Sequence, residues 1–481
     1  MRLFLILSVV LVACGDDSNV GSLPDAPQAP DAAPGDATVT PQPVTLTVTL
    51  NGAPVAGVHT YFLNADNSVV KTADTDVNGT ASATMVAGGS VTAINPFVSP
   101  PAGGPVPDDL RTFLGVKPGD HLVLFKGGAT PRDVTVTLTA PELLSANVTS
   151  YDVFTTCGTT RIPVNNVLLP LVPSDPTGTV TLSGCNGLAD ILVVANGFAG
   201  NEQIEPLASL YTANVAVADG TDIVLTGDYS DLTDVKFEYT NLPDNVSSVT
   251  VSHTLTTSHG VLESFSGGIA LDVPTALITF SEPPVADAVG IIDATIQTNS
   301  SQHEVIQRKA VTASNTFDLA GLLPEFGDGT FYNVTTKRVS WREADTGGRP
   351  DLTTVTLHVP PGQQGSGAPP SRSWDWQLVA PYAPGGELTY PTLPTDVASW
   401  APTASDNVTV EGLTNIKVPG GYDALRGQAF SIRDYSPLIT TQADAVLLVS
   451  SNPNVVADVA RAPAGASAIR PLAKPSFLSR R

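Results

Sequence analysis

From Val44 the chain alternates strictly, with Val44, Leu46, Val48 and Leu50 on one side and Thr45, Thr47 and Thr49 on the other. A strand with one face buried and one wet has this period of two. Asn51-Gly52-Ala53-Pro54 then turns the chain, Val55 to Leu63 reads as a second strand, and Asp76-Val77-Asn78-Gly79 turns it again before Thr80 to Val86. Gly88-Gly89 and Val91 to Ile94 close the meander. Similar short runs recur at Leu122 to Phe125, Val134 to Leu138, Val164 to Leu171, Thr179 to Leu182 and Ile191 to Val194, then at Val235 to Tyr239, Val249 to Leu255 and Ala276 to Phe280. Val334 to Trp341, Thr353 to Val359, Val408 to Val418 and Ala445 to Val449 complete the series. No helical period rises above them, and only Val285 to Thr298 and Thr440 to Val449 admit short helices. The pattern predicts an all-β chain of tandem β-sandwiches, immunoglobulin-like or prealbumin-like.

Breaks in the pattern divide the chain. Residues 1–13 read as a signal peptide and residues 14–42 as an Asp/Ala/Pro-rich spacer with almost nothing to bury. A first sandwich is expected over 43–140, a second over 141–230, a β-rich unit over 231–360, and a Pro/Gly-rich and β-rich unit over 361–460. The segment PPGQQGSGAPPSRS marks the last division, and a basic tail covers 461–481.

Arg2, the apolar run Leu3 to Val12 and the small residue Ala13 have the layout of a secretory signal too short to span a bilayer. Leu11-Val12-Ala13-Cys14 resembles the lipobox of bacterial lipoproteins. The resemblance implies cleavage before Cys14, a diacylglyceryl group on its sulfur and an acylated new amino terminus. Burying more than one acyl chain gives stable membrane anchoring. Gly15 stands where an Asp would signal retention at the inner membrane, which directs the expectation to the outer membrane. The order NGAPVAGV, TDVNGTA, AGGSVTAI resembles carboxypeptidase regulatory-like domains, which implies a prealbumin-type folding module without catalytic residues.

Across 481 residues the formal charge is −23, a balance that repels phosphate backbones and argues against nucleic acid as a partner. With Cys14 lipidated, Cys157 and Cys185 remain. An oxidising compartment predicts that they pair, closing a loop of about 28 residues and contributing roughly 3.5 kcal/mol; two separate buried thiols are the alternative.

Catalytic signatures are missing from the sequence. There is no G-x-S-x-G elbow, P-loop or C-x-x-C, and His303-Glu304 lacks the second histidine of a zinc-protease helix because Gln307 stands there. His253 and His259 would lie roughly 20 Å apart on one strand, too far to share an ion. Asp74-x-Asp76-x-Asn78-Gly79 begins like a calcium loop, but Met85 occupies the position of the bidentate glutamate. No metal or cofactor is therefore expected. Trp374, Trp376 and Tyr382 are a candidate platform for stacking on sugar rings, with burial in the last core as the alternative. The sequence leads to a non-catalytic, lipid-anchored surface protein serving adhesion, envelope structure or assembly, with a protein or glycan partner. A carbohydrate-binding or carbohydrate-active protein using the Trp374 region is the second expectation.

Overall fold

The computed structural model describes residues 41–94, 109–126, 133–143, 148–156, 167–169, 177–183, 187–199, 203–270, 275–310, 312–327, 329–359, 374–404, 406, 408–428 and 446–452. The expected signal peptide, the expected spacer as far as residue 40, the lipobox cysteine, both remaining cysteines and the basic tail lie outside these residues. Among the described residues the chain is almost entirely β, with one α-helix, Gly421–Arg426, and a single 3-10 turn at Ala398–Trp400.

The first strand, Gln42–Leu50, forms where alternation begins, and Val44, Leu46 and Val48 are fully buried. It pairs antiparallel with Thr80–Met85 and parallel with His121–Lys126. Asn51 and Gly52, with φ of 51° and 76°, make the two-residue hairpin loop to Ala53–Pro54, because positive φ at both positions matches the twist of the strands they join. Gly79 has φ of 70°, and a Cβ there would stand 2.5 Å from the Val48 carbonyl oxygen, so the second turn also needs glycine. Asp76 Oδ1 accepts the backbone N–H groups of Asn78 and Thr80, and Asp74 is engaged by His59 Nδ1 at 2.6 Å. Asp76 thus organises the turn, and Asp74 a cross-strand pair.

Facing this sheet is one end of a second, much larger one. Its twelve strands run in the order Gly260–Ala270, Val246–Thr257, Val289–Thr298, Gln302–Ala310, Val446–Ser451, Thr409–Lys417, Leu352–Val359, Trp374–Pro381, Asp109–Val116, Gly89–Ile94, His59–Leu63 and Val69–Asp74. Segments expected in separate units therefore share one hydrogen-bonded sheet. Leu352–Val359 and Trp374–Pro381 pair antiparallel across the glycine and proline break, so the division expected at residue 360 falls within a strand pair. The core beneath the first sheet, built on Val44, Phe62 and Phe113, continues through Ile306, Ile416, Leu447 and Val449. On the other face a small sheet of Phe331–Asn333, Arg338–Ser340 and Glu387–Thr389 covers a core centred on Trp376. A third core, around Phe237 and Phe317, lies between the far end of the large sheet and strands Thr233–Thr240, Ala276–Glu282 and Ser314–Asp318.

The second sandwich has its own core, with Tyr151, Ile191 and Val193 fully or almost fully buried. Asp133–Thr139, expected at the end of the first unit, pairs instead with Thr177–Ser183 and Asp222–Val224 in this one. Neither segment entertained as a helix is helical where described, and each contains a strand. In Val289–Thr298 the residues Ile292, Ala294 and Ile296 alternate into the core, and Val446–Ser451 is paired on both sides. Strand neighbours on each side supply more hydrogen bonds and burial than an isolated turn of helix would.

The one helix is short and tied down by its last residue. Arg426 is 1% exposed, and its guanidinium donates to Asp120 Oδ1 at 2.9 Å, Asp423 Oδ1 at 2.6 Å and the Gly115 carbonyl at 3.0 Å. Tyr422 lies under the same guanidinium, 4.7 Å from its carbon. These bonds fasten the C-terminal part of the chain to the first sandwich.

Candidate functional site

The indoles face inward. Trp374 is 2% exposed and Trp376 is fully buried, and the Trp376 Nε1–H donates to Thr112 Oγ1 at 2.8 Å. Alternation along Trp374–Pro381 puts both rings on the face that meets Tyr390, 5.1 Å from Trp376. Tyr382 is half-buried and spends its hydroxyl on Glu343 Oε2 at 2.7 Å. Trp374 and Trp376 thus belong to a core, while Tyr382 stands outside it at the edge of an open cleft. Apolar area this large gains more from burial between sheets than from exposure.

Beside Tyr382 lies an open cleft of about 630 Å³ lined by Trp341, Arg342, Glu343, Asp345, Arg349 and neighbouring glycines and prolines. Of its two acids, Glu343 is already occupied. Glu343 accepts from Trp341 Nε1 at 2.5 Å, from Tyr382 and from Asn415 Nδ2 at 2.7 Å. Burial, then the hydrogen bond and charge of Glu343, push the Tyr382 hydroxyl up to about 12. A carboxylate holding three donors fixes the loop and is poorly placed for acid-base work.

His253 and His259 each face a carboxylate of their own. His253 Nδ1 lies 2.5 Å from Glu282 Oε1 with both side chains buried, while His259 Nδ1 lies 3.1 Å from Asp190 Oδ1. Burial would raise the Asp190 carboxyl, but the Thr257 hydroxyl, the Asn214 N–H and His259 together hold it below its ordinary value. His303 stands on a strand, not a helix, and burial depresses its pKa while the charge of Glu325 acts the other way.

One cluster was not anticipated from the sequence. His358 and Asp375 stand directly opposite each other on paired strands, with Nδ1 and Oδ1 2.6 Å apart. Glu411 Oε1 is 4.0 Å from the same nitrogen. The ladder between Leu352–Val359 and Thr409–Lys417 shifts there, Thr356 pairing with Gly412 and Leu357 with Val410, which leaves Glu411 as the extra residue of a bulge. All three ligand atoms lie within 4.8 Å of one another on the side of the sheet opposite Leu357 and Trp376. Polar residues at alternate positions, His358 between Leu357 and Val359 and Asp375 between two tryptophans, were the available signal. Nothing local showed that these strands pair.

No protein-family model matches the chain, and no curated protein matches it. Among solved structures the Bacillus anthracis TIE protein is similar at 10% identity and a TM-score of 0.15, over 58% of this chain and 50% of that one. This chain thus spans about half the length of that relative. The shaft pilin spaA from Lactobacillus rhamnosus GG matches at 15% identity and a TM-score of 0.14, over 38% of this chain and 97% of its own. A streptococcal ancillary pilin matches at 9% identity and 0.11, over 55% and 89%. Scores this low leave the all-β sandwich assignment resting on the sheets themselves.

Proposed function

We propose that the chain is a non-catalytic, lipid-anchored envelope protein whose β-sandwich units act together as a stiff body for adhesion, envelope structure or assembly. The observation that carries this reading is the twelve-stranded sheet, which joins segments from residue 59 to residue 451 by continuous backbone pairing. A body built this way resists bending between units, as a flexibly linked array of domains does not. The lipobox resemblance at Cys14 supplies the anchor, Gly15 directs it to the outer membrane, and the acidic spacer holds the body off the lipid. In the same oxidising compartment Cys157 and Cys185 pair.

Cys14→Ala in the full chain tests the anchor. The variant leaves the membrane fraction and loses labelling by a palmitate analogue; unchanged labelling would remove the lipid from the reading. Thiol labelling of both remaining cysteines without reductant would remove the disulfide.

A further inference from the structure

We propose that His358, Asp375 and Glu411 bind one divalent first-row transition ion at a solvent-accessible point on the large sheet. Each ligand comes from a different strand, and the three strands are hydrogen-bonded neighbours. Their separations are therefore set by the sheet, without dependence on a loop. The bulge at Glu411 takes this carboxylate out of the regular ladder and brings it to His358.

The donor set selects the class of ion. One imidazole nitrogen with two carboxylate oxygens suits zinc and its first-row neighbours, whereas calcium and magnesium prefer shells made wholly of oxygen. Ligand atoms around such an ion sit about 2.0–2.2 Å from it. The separation of 2.6 Å between His358 and Asp375 accommodates a proton and must open slightly for a metal, while Glu411 at 4.0 Å must close in. Exposures of 25%, 49% and 53% leave the side chains free to make these small movements and give the ion a path from solvent. Bound there, the ion takes the place of the proton between His358 and Asp375. Three protein ligands leave a coordination position open to water or to a donor from another molecule. The site is independent of the anchoring reading, since it needs neither lipid nor disulfide.

The test is a titration of the full chain, purified in detergent and stripped with chelator, with cobalt(II) followed by visible absorption and then displaced by zinc. One equivalent binds with the d–d bands of an N/O site. His358→Ala weakens binding by at least the roughly 10–100-fold that even outer-shell changes cost, and Asp375→Asn and Glu411→Gln weaken it as well. Unchanged tryptophan emission and urea midpoint show that each variant is folded. No absorption change in the parent chain, equal binding by the His358→Ala variant, or intense sulfur-to-cobalt bands would each overturn the proposal.

Discussion

Replacing Trp376 by alanine measures how firmly the inward-facing indoles hold the chain together. The side chain is fully buried among Trp374, Tyr390 and Thr112. Removing roughly 200 Å² of aromatic surface from the core at about 25 cal/mol per Å² costs about 5 kcal/mol. That figure is an upper bound, because unfolded chains already bury part of their surface, and large-to-small aromatic changes in cores cost about 3–5 kcal/mol. The lost hydrogen bond adds little, since Thr112 keeps Thr92 as a partner at 2.9 Å. Trp376→Ala is therefore expected to lose about 4 kcal/mol, and Trp376→Phe about half as much. Urea unfolding followed by indole emission reads this directly, because all four tryptophans belong to or pack against the same core. A loss below about 1 kcal/mol, together with free quenching of the indoles by iodide, would mean exposed rings and would refute the burial argument.

Arg426→Ala removes one partner from a buried charge cluster and is expected to cost about 3 kcal/mol, whereas Asp423→Ala, at a carboxylate 55% exposed, costs under about 1 kcal/mol. Urea midpoints of the two variants check the order, and equal losses would contradict it. His303 supplies a pH dependence with a definite sign. Its pKa is depressed by burial, so the folded chain keeps it neutral while the unfolded chain takes up a proton below about pH 6.5. Its contribution is fully present above that pH and lost as the pH falls toward the folded value; His303→Leu should flatten the decline in urea midpoint between about pH 7.5 and 5.

The sequence made the strands legible where one face is wet. Val44, Leu46 and Val48 announce the first strand, and Thr233–Thr240 alternates as cleanly around Val235, Phe237 and Tyr239. Hairpins such as the one at Asn51-Gly52 were legible, but long-range strand pairing was not, because those partners are far apart in the chain. Asp109–Val116 runs parallel to Trp374–Pro381, and no local turn chemistry sets that register. Asp133–Thr139 likewise pairs with Thr177–Ser183 and Asp222–Val224, which lie about 40 and 85 residues further along. The candidate ion site depends on two such pairings and a bulge, so its residues were individually visible but could not be brought together. The short helix was missed because one and a half turns give too few positions to show a period, and it is held by the bonds Arg426 makes to Asp120 and Gly115 rather than by a helical repeat.

Among the described residues the strand Val446–Ser451 lies between Gln302–Ala310 and Thr409–Lys417 and is the one link between them in the large sheet. A chain emerging amino terminus first, from a ribosome or through a membrane channel, must carry both of those strands with unpaired edges until this late segment arrives. Open edges of that kind invite pairing with other chains and attack by proteases. The order of the sheet thus makes completion of the chain a condition for its survival: a product that stops short of residue 446 displays its incompleteness along two strand edges, where proteases can act on it.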